Sequence, residues 1–147
     1  MARREDWPER LNAYIAAIGR AEFQWGALDC CLFPANAIEQ MTDDDPAAEY
    51  RGRYDDEGGA RALLAEIGGG VPDMLAAIAA GNGWAEVKPS FSQRGDLLFL
   101  SDAIASRRNE FGGYAGLCLG PMAACFILDH GLALLPMRYA TRAWHVV

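Results

Sequence analysis

A chain of 147 residues, 52% hydrophobic and 22% charged, can bury a core as one domain without disulfide or metal staples, and its composition excludes disorder. The formal net charge of −7 excludes broad nucleic-acid binding, which demands clustered Lys and Arg. No apolar run of signal-peptide type follows Met1-Ala2-Arg3-Arg4, and the Ala-rich Met74–Ala80 stretch is far too short for a bilayer. The expectation is a soluble protein made in the cytoplasm, with no membrane insertion.

Asp6-Trp7-Pro8-Glu9 reads as a helix start, with Asp6 as cap, Glu9 reaching back and Pro8 in the first turn. Leu11, Tyr14, Ile15 and Ile18 then form one apolar stripe up to Gly19. A second helix opens near Asp29 and runs to Met41. Pro34 inside it requires a start around Cys30, where the first amides lack helical partners anyway. Asp43-Asp44-Asp45-Pro46 is an acidic turn leading into another helix start, and Tyr50-Arg51-Gly52-Arg53-Tyr54 is an ordered loop with both tyrosines packed down. Leu63, Leu64 and Ile67 mark a third helix closed by Gly68-Gly69-Gly70. Val71-Pro72-Asp73 starts a fourth, ended by Gly81-Asn82-Gly83.

The second half changes period. Trp84–Val87, Asp96–Leu100, Tyr114–Leu119, Ala124–Leu128, Leu132–Met137 and Ala143–Val147 read as short strands. The polar, glycine-ended Ser101–Gly113 stretch is a long mobile connection. Helices followed by an antiparallel sheet imply a single α+β domain over residues 1–147.

The four cysteines, at 30, 31, 118 and 125, form neither CxxC pairs nor a zinc-like spacing. Reduced thiols, no metal and no cofactor are expected. Cys30 is the one with a chemical setting. A thiol at a helix N-terminus faces partial positive charge, which favours the nucleophilic thiolate. Hydrolysis by such a thiol also needs a base beside it and a third group orienting that base. Asp29 caps the helix next to Cys30. The two histidines are His130, in a turn-like Asp129-His130-Gly131, and His145 beside Trp144 in the last strand.

Asp29-Cys30, Gly95-Asp96 and Gly116-Leu117-Cys118-Leu119-Gly120 resemble, in order and spacing, the three signature segments of NlpC-type peptidases. These are papain-like cysteine hydrolases that cut bacterial cell-wall peptides. The likeness is closer to a small phage- and prophage-encoded group found beside tail genes, which shares Trp25-Gly26, the Arg-Gly-Arg-Tyr segment and the aromatic Ala143-Trp144-His145 strand. The resemblance implies a papain-like fold with Cys30 at the nucleophile position. It puts Tyr114 where the base histidine belongs, and the third polar position near Cys125 or Phe126. A tyrosine, with a pKa of roughly 10, is no base near neutrality.

His145 is the candidate substitute base, and His130 reads as a turn residue. The expectation is a catalytically degenerate virion component near the tail tip, partnered by phage tail proteins. The alternative is an active cysteine peptidase or amidase on peptidoglycan peptides, with Cys30 as nucleophile.

Three other features carry no function. Arg94-Gly95-Asp96 runs straight into an apolar strand, and Gly68-Gly69-Gly70 is followed by no Lys-Ser or Lys-Thr. Trp7, Trp25, Trp84 and Trp144 read as core or interface anchors.

Overall fold

The computed structural model describes residues 2–101 and 113–147. Apart from its two end residues, the expected Ser101–Gly113 connection lies outside them. Four helices come first: α1 (Trp7–Ile18), α2 (Leu32–Thr42), α3 (Glu57–Ile67) and α4 (Gly70–Asn82). The strands are β1 (Glu86–Val87), β2 (Leu97–Ser101), β3 (Gly113–Cys118), β4 (Met122–Ile127), β5 (Gly131–Pro136) and β6 (Ala140–Trp144). They form one open sheet in the order β1-β6-β2-β3-β4-β5 with every pairing antiparallel. The fold is α+β, as the change of period predicts.

Period-two alternation sorts the strand residues onto two faces. Leu97, Phe99, Ala115, Leu117, Ala124, Phe126 and Trp144 share a core with α1, α2 and α4. Leu98, Leu100, Tyr114, Cys118, Ala123, Cys125 and Ala143 form a second buried cluster on the other face. α2 is the central helix. Its fully buried Phe33 stacks on Phe126 of β4 at 6.1 Å and on Tyr14 of α1 at 6.1 Å.

The differences from expectation are local. Asp6 does not cap α1 and instead pairs with Arg10 at 2.9 Å. Pro46 leads into successive turns rather than a helix. The next helix waits for Asp56, whose carboxylate accepts the Gly59 N–H at 2.7 Å. In that stretch Asp45 is taken by the Ala47 N–H and by Arg51, which hold turn geometry in place of a helical start. β6 begins three residues before the predicted Ala143 and ends at Trp144. β1 keeps only two residues, and Trp84 packs in the core instead. Gly68 and Gly69, at φ 83° and 79°, turn the chain by 62° between α3 and α4. Among the described residues no single helix is long and apolar enough to cross a membrane.

Candidate functional site

Asp29 organises the start of α2. Its backbone carbonyl accepts the Phe33 N–H at 2.9 Å, the first helical bond. Its Oδ1 accepts the N–H groups of Cys31 (3.1 Å) and Leu32 (2.9 Å). Asp29 is therefore the functional N-cap, and Cys30 is the first residue inside the turn. Pro34 follows Phe33 and supplies no N–H to the Cys30 carbonyl. Regular helix accordingly begins at Leu32, which leaves Pro34 in its first turn, as the sequence predicts.

The other oxygen of Asp29 reaches outward. Oδ2 accepts the Gly26 N–H at 3.0 Å and the Tyr54 hydroxyl at 2.5 Å. Tyr54 is delivered by the Arg51–Tyr54 loop. Arg51 donates to Asp45 (2.5 Å) and to Asn36 of α2 (2.6 Å), and Arg53 pairs with Glu66 of α3 at 2.8 Å. Gly26 sits at φ 83°, and a Cβ there would lie 2.4 Å from the Tyr54 carbonyl oxygen. Trp25-Gly26, Asp29 and Arg-Gly-Arg-Tyr, three separate sequence motifs, are thus one network around the end of α2. Burial, followed by the nearby Asp29 charge and hydrogen bond, pushes the Tyr54 pKa far up.

Cys30 is 5% exposed. The hydrogen-bonding contact of its thiol among the described residues is the Cys31 sulfur at 4.0 Å. The thiol of Cys31 is pushed well up, first by that contact, then by burial and by the charges of Cys30 and Asp29. Cys30 shares its apolar cluster with Tyr114, Cys118 and Cys125. Tyr114, 4% exposed, lies opposite Leu100 of β2. The structure therefore puts Cys30, Tyr114 and Cys125 in one apolar cluster, with the Asp29 cap at its edge through the neighbouring amides. Burial pushes the Cys125 thiol up to about 12, so it is a packed neutral group rather than a partner for an imidazole.

His145 is elsewhere. Its Nδ1 is 3.0 Å from Oδ1 of the fully buried Asp96. The same oxygen accepts from Arg3 Nη2 (2.9 Å) and the Val146 N–H (3.1 Å), while Oδ2 takes the Gln93 N–H (2.8 Å). Arg3 also donates to the carbonyls of Val146 and Arg94, each at 2.7 Å. A Cβ on Gly95 would meet Arg3 Nη1 at 2.8 Å and Met41 Sδ at 3.1 Å, which fixes this cluster at the C-terminal end of α2. Cys30 lies eleven residues earlier, about 16 Å along the helix. His145 is not brought to Cys30. His130 lies in the β4–β5 turn, donating its N–H to Ile127 O at 3.0 Å. The part of Arg3 in this cluster has no local sequence signal, because its partners are about ninety residues or more away.

Among the described residues no three His, Cys, Asp or Glu side chains are grouped to hold a metal ion.

A pair of adjacent cysteines, Cys30 buried and Cys31 partly so, in the first turn of a capped helix laid on a six-stranded antiparallel sheet defines a small α+β domain with a helix-terminal cysteine site. Residues 2–146 match the family described as a domain of unknown function, DUF6950, and the chain belongs to that family. No curated protein and no solved structure matches it.

Proposed function

We propose that this chain is a papain-like, NlpC-type domain that has lost hydrolysis and serves as a structural or assembly part of a phage or prophage tail, near its tip. The observation that carries the loss is the setting of Cys30. Cys30 shares its apolar cluster with buried Tyr114 of β3, and His145, the candidate substitute base, is committed to Asp96 at the far end of α2. A hydroxyl with an ordinary pKa of about 10 takes no proton from a thiol near neutrality. The acidic cap works in the same direction. Asp29 claims the N–H groups of Cys31 and Leu32, which could otherwise face an anion at the helix start, and its charge helps to raise the Cys31 thiol. The retained motifs have a structural use, since they lock the entry to α2.

The test pairs two assays. Purified protein is incubated with peptidoglycan, and released peptides are quantified for wild type and Cys30→Ala. The expected result is background release from both, with tail proteins of the same gene cluster co-purifying with the tagged chain. Peptide release that disappears in Cys30→Ala would establish the hydrolase instead. Sedimentation with whole peptidoglycan, without cleavage or tail partners, would make it a wall-binding module.

A further inference from the structure

The sheet ends in two edge strands, and they are protected unequally. β1, at one end, keeps two residues, and its Glu86 is held by Arg142 at 2.7 Å. Short length and charge are common means of keeping a strand edge from pairing. β5, at the other end, runs Gly131-Leu132-Ala133-Leu134-Leu135-Pro136 without a charged or polar side chain. Leu134 is 54% exposed.

The ladder fixes which groups of β5 face outward. Backbone groups of an antiparallel strand point alternately to its two sides. The Leu119 N–H donates to Met122 O at 2.9 Å, so Met122 and Ala124 face β3, while Ala123 and Cys125 face β5. Their partners Leu135 and Ala133 therefore point inward, and Leu132, Leu134 and Pro136 point away from β4. Pro136 agrees with this phase, because a strand proline turns the side that lacks an N–H to the open edge. Residues 132–136 make no hydrogen bond outside the β4 ladder among the described residues. At Gly131 the edge is approached, since a Cβ there would lie 3.3 Å from Ala21 O. The open stretch is thus Leu132–Pro136, centred on Leu134.

An extended strand is what such an edge accepts, and charge selects which one. Asp129 before β5 and Arg138 after it are both exposed, and neither has an ion-pair partner among the described residues. Consider a second β5 running antiparallel, with Leu134 opposite Leu134. Asp129 then comes level with Tyr139 of the second copy, about 3.4 Å along the strand from its Arg138. Two-fold symmetry makes the same contact again at the other end. A parallel second strand would set like charges side by side. The chain as a whole carries −7, so the uncharged edge is also where two copies meet with least repulsion.

We propose that two copies of this chain pair through β5, antiparallel about a two-fold axis at Leu134, joining their sheets into one. The two Leu134 residues exchange both N–H···O=C bonds, and the Leu132 N–H of each copy donates to the Pro136 carbonyl of the other. With so short a strand the dimer is weak and reversible. The pairing rests on the sheet edge alone and asks nothing of Cys30, so its failure leaves the loss of hydrolysis untouched.

Sedimentation velocity of the full chain from about 10 μM to about 1 mM should show a rising dimer fraction. Leu134→Lys sets two like charges face to face at the axis and should weaken the dimer about tenfold. That side chain is exposed, so circular dichroism should show the monomer fold unchanged. Arg138→Glu should weaken the dimer about fivefold, and adding Asp129→Asn should recover part of the loss. Register is read from isotope-filtered NOEs in a mixture of labelled and unlabelled chains, expected between Leu132 of one copy and Pro136 of the other. A monomer throughout that range overturns the proposal, whether or not β5 takes a strand of another protein. So does a dimer that Leu134→Lys or Arg138→Glu leaves intact, or one whose contacts between copies fall outside β5.

Discussion

At the scale of the residue, Asp29 and Tyr54 form the tightest polar contact at the start of α2. A carboxylate 1% exposed is tolerable only when its lone pairs are filled, and here four donors fill them. Removing the Tyr54 hydroxyl takes away one hydrogen bond to a charged group. Tyr54→Phe should therefore lower unfolding stability by about 1.5–3 kcal/mol near neutral pH. The same hydroxyl imposes a pH dependence. Its pKa is raised above 10.0 in the folded protein, so the folded state holds a proton that the unfolded state releases. The contribution is fully present below the unfolded value and falls as pH rises beyond about 10. Tyr14, raised to about 12 by burial, has the same sign, and so do Cys31 and Cys125 from a lower starting value. Urea midpoints measured from about pH 8 to about pH 11 should fall with pH for wild type and fall less steeply for Tyr54→Phe. Parallel curves would mean that Tyr54 is not the group held protonated.

At the scale of the element, α2 is defined as much by what enters it as by its own residues. The turn before it crosses under the Arg51–Tyr54 loop so closely that Gly26 is required. Its φ of 83° favours glycine, and the 2.4 Å approach is to a backbone oxygen, which cannot rotate away. Gly26→Ala should destabilise the fold by about 1–3 kcal/mol, seen as a lower urea midpoint. Gly52→Ala, also at positive φ but with open space around its Cβ, should cost about 1 kcal/mol from strain alone. Equal losses would refute the crossing. Elements with their own periodicity were legible in the sequence. The Leu11–Ile18 stripe, the Leu63–Ile67 run and the alternating strands needed no distant partner, and Cys30 fell at the helix start that Pro34 suggested. Elements decided by competition were not. Pro46 looked like a helix start because Asp45 could cap one, but Arg51 and the Ala47 amide take that carboxylate first. His145 looked available beside Cys30 because strand alternation gives a direction and no distance. Only the pairing of β6 with β2 reveals that Asp96 is its neighbour.

At the scale of the whole molecule, one side chain joins the two ends of the chain to the sheet. Arg3 donates to Val146 O near the C-terminus, to Arg94 O in the turn before β2 and to the buried Asp96, and its guanidinium lies 4.4 Å from the Trp7 ring centroid. The N-terminal segment, β2 and β6 therefore share a single polar joint at the C-terminal end of α2. With Arg3 13% and Asp96 0% exposed, burial lowers the Arg3 pKa while the Asp96 charge and hydrogen bond oppose that shift. Breaking such a pair from one side leaves a buried carboxylate without its counter-charge. Arg3→Met, which keeps the alkyl stem near Trp7 but removes the charge and every donor, should cost about 3 kcal/mol. The neighbouring Arg4 provides the comparison. It pairs with Asp43 at 2.8 Å, but the two side chains are 52% and 50% exposed, so water already solvates both charges. Arg4→Met should change stability by less than about 1 kcal/mol. Urea denaturation of the two variants beside wild type decides the matter, because they sit next to each other in sequence and remove the same charge. A large loss for Arg3→Met alone identifies the joint. Similar small losses for both would mean that His145 and the two backbone amides are sufficient to hold Asp96, and that the ends of the chain are secured by the sheet instead.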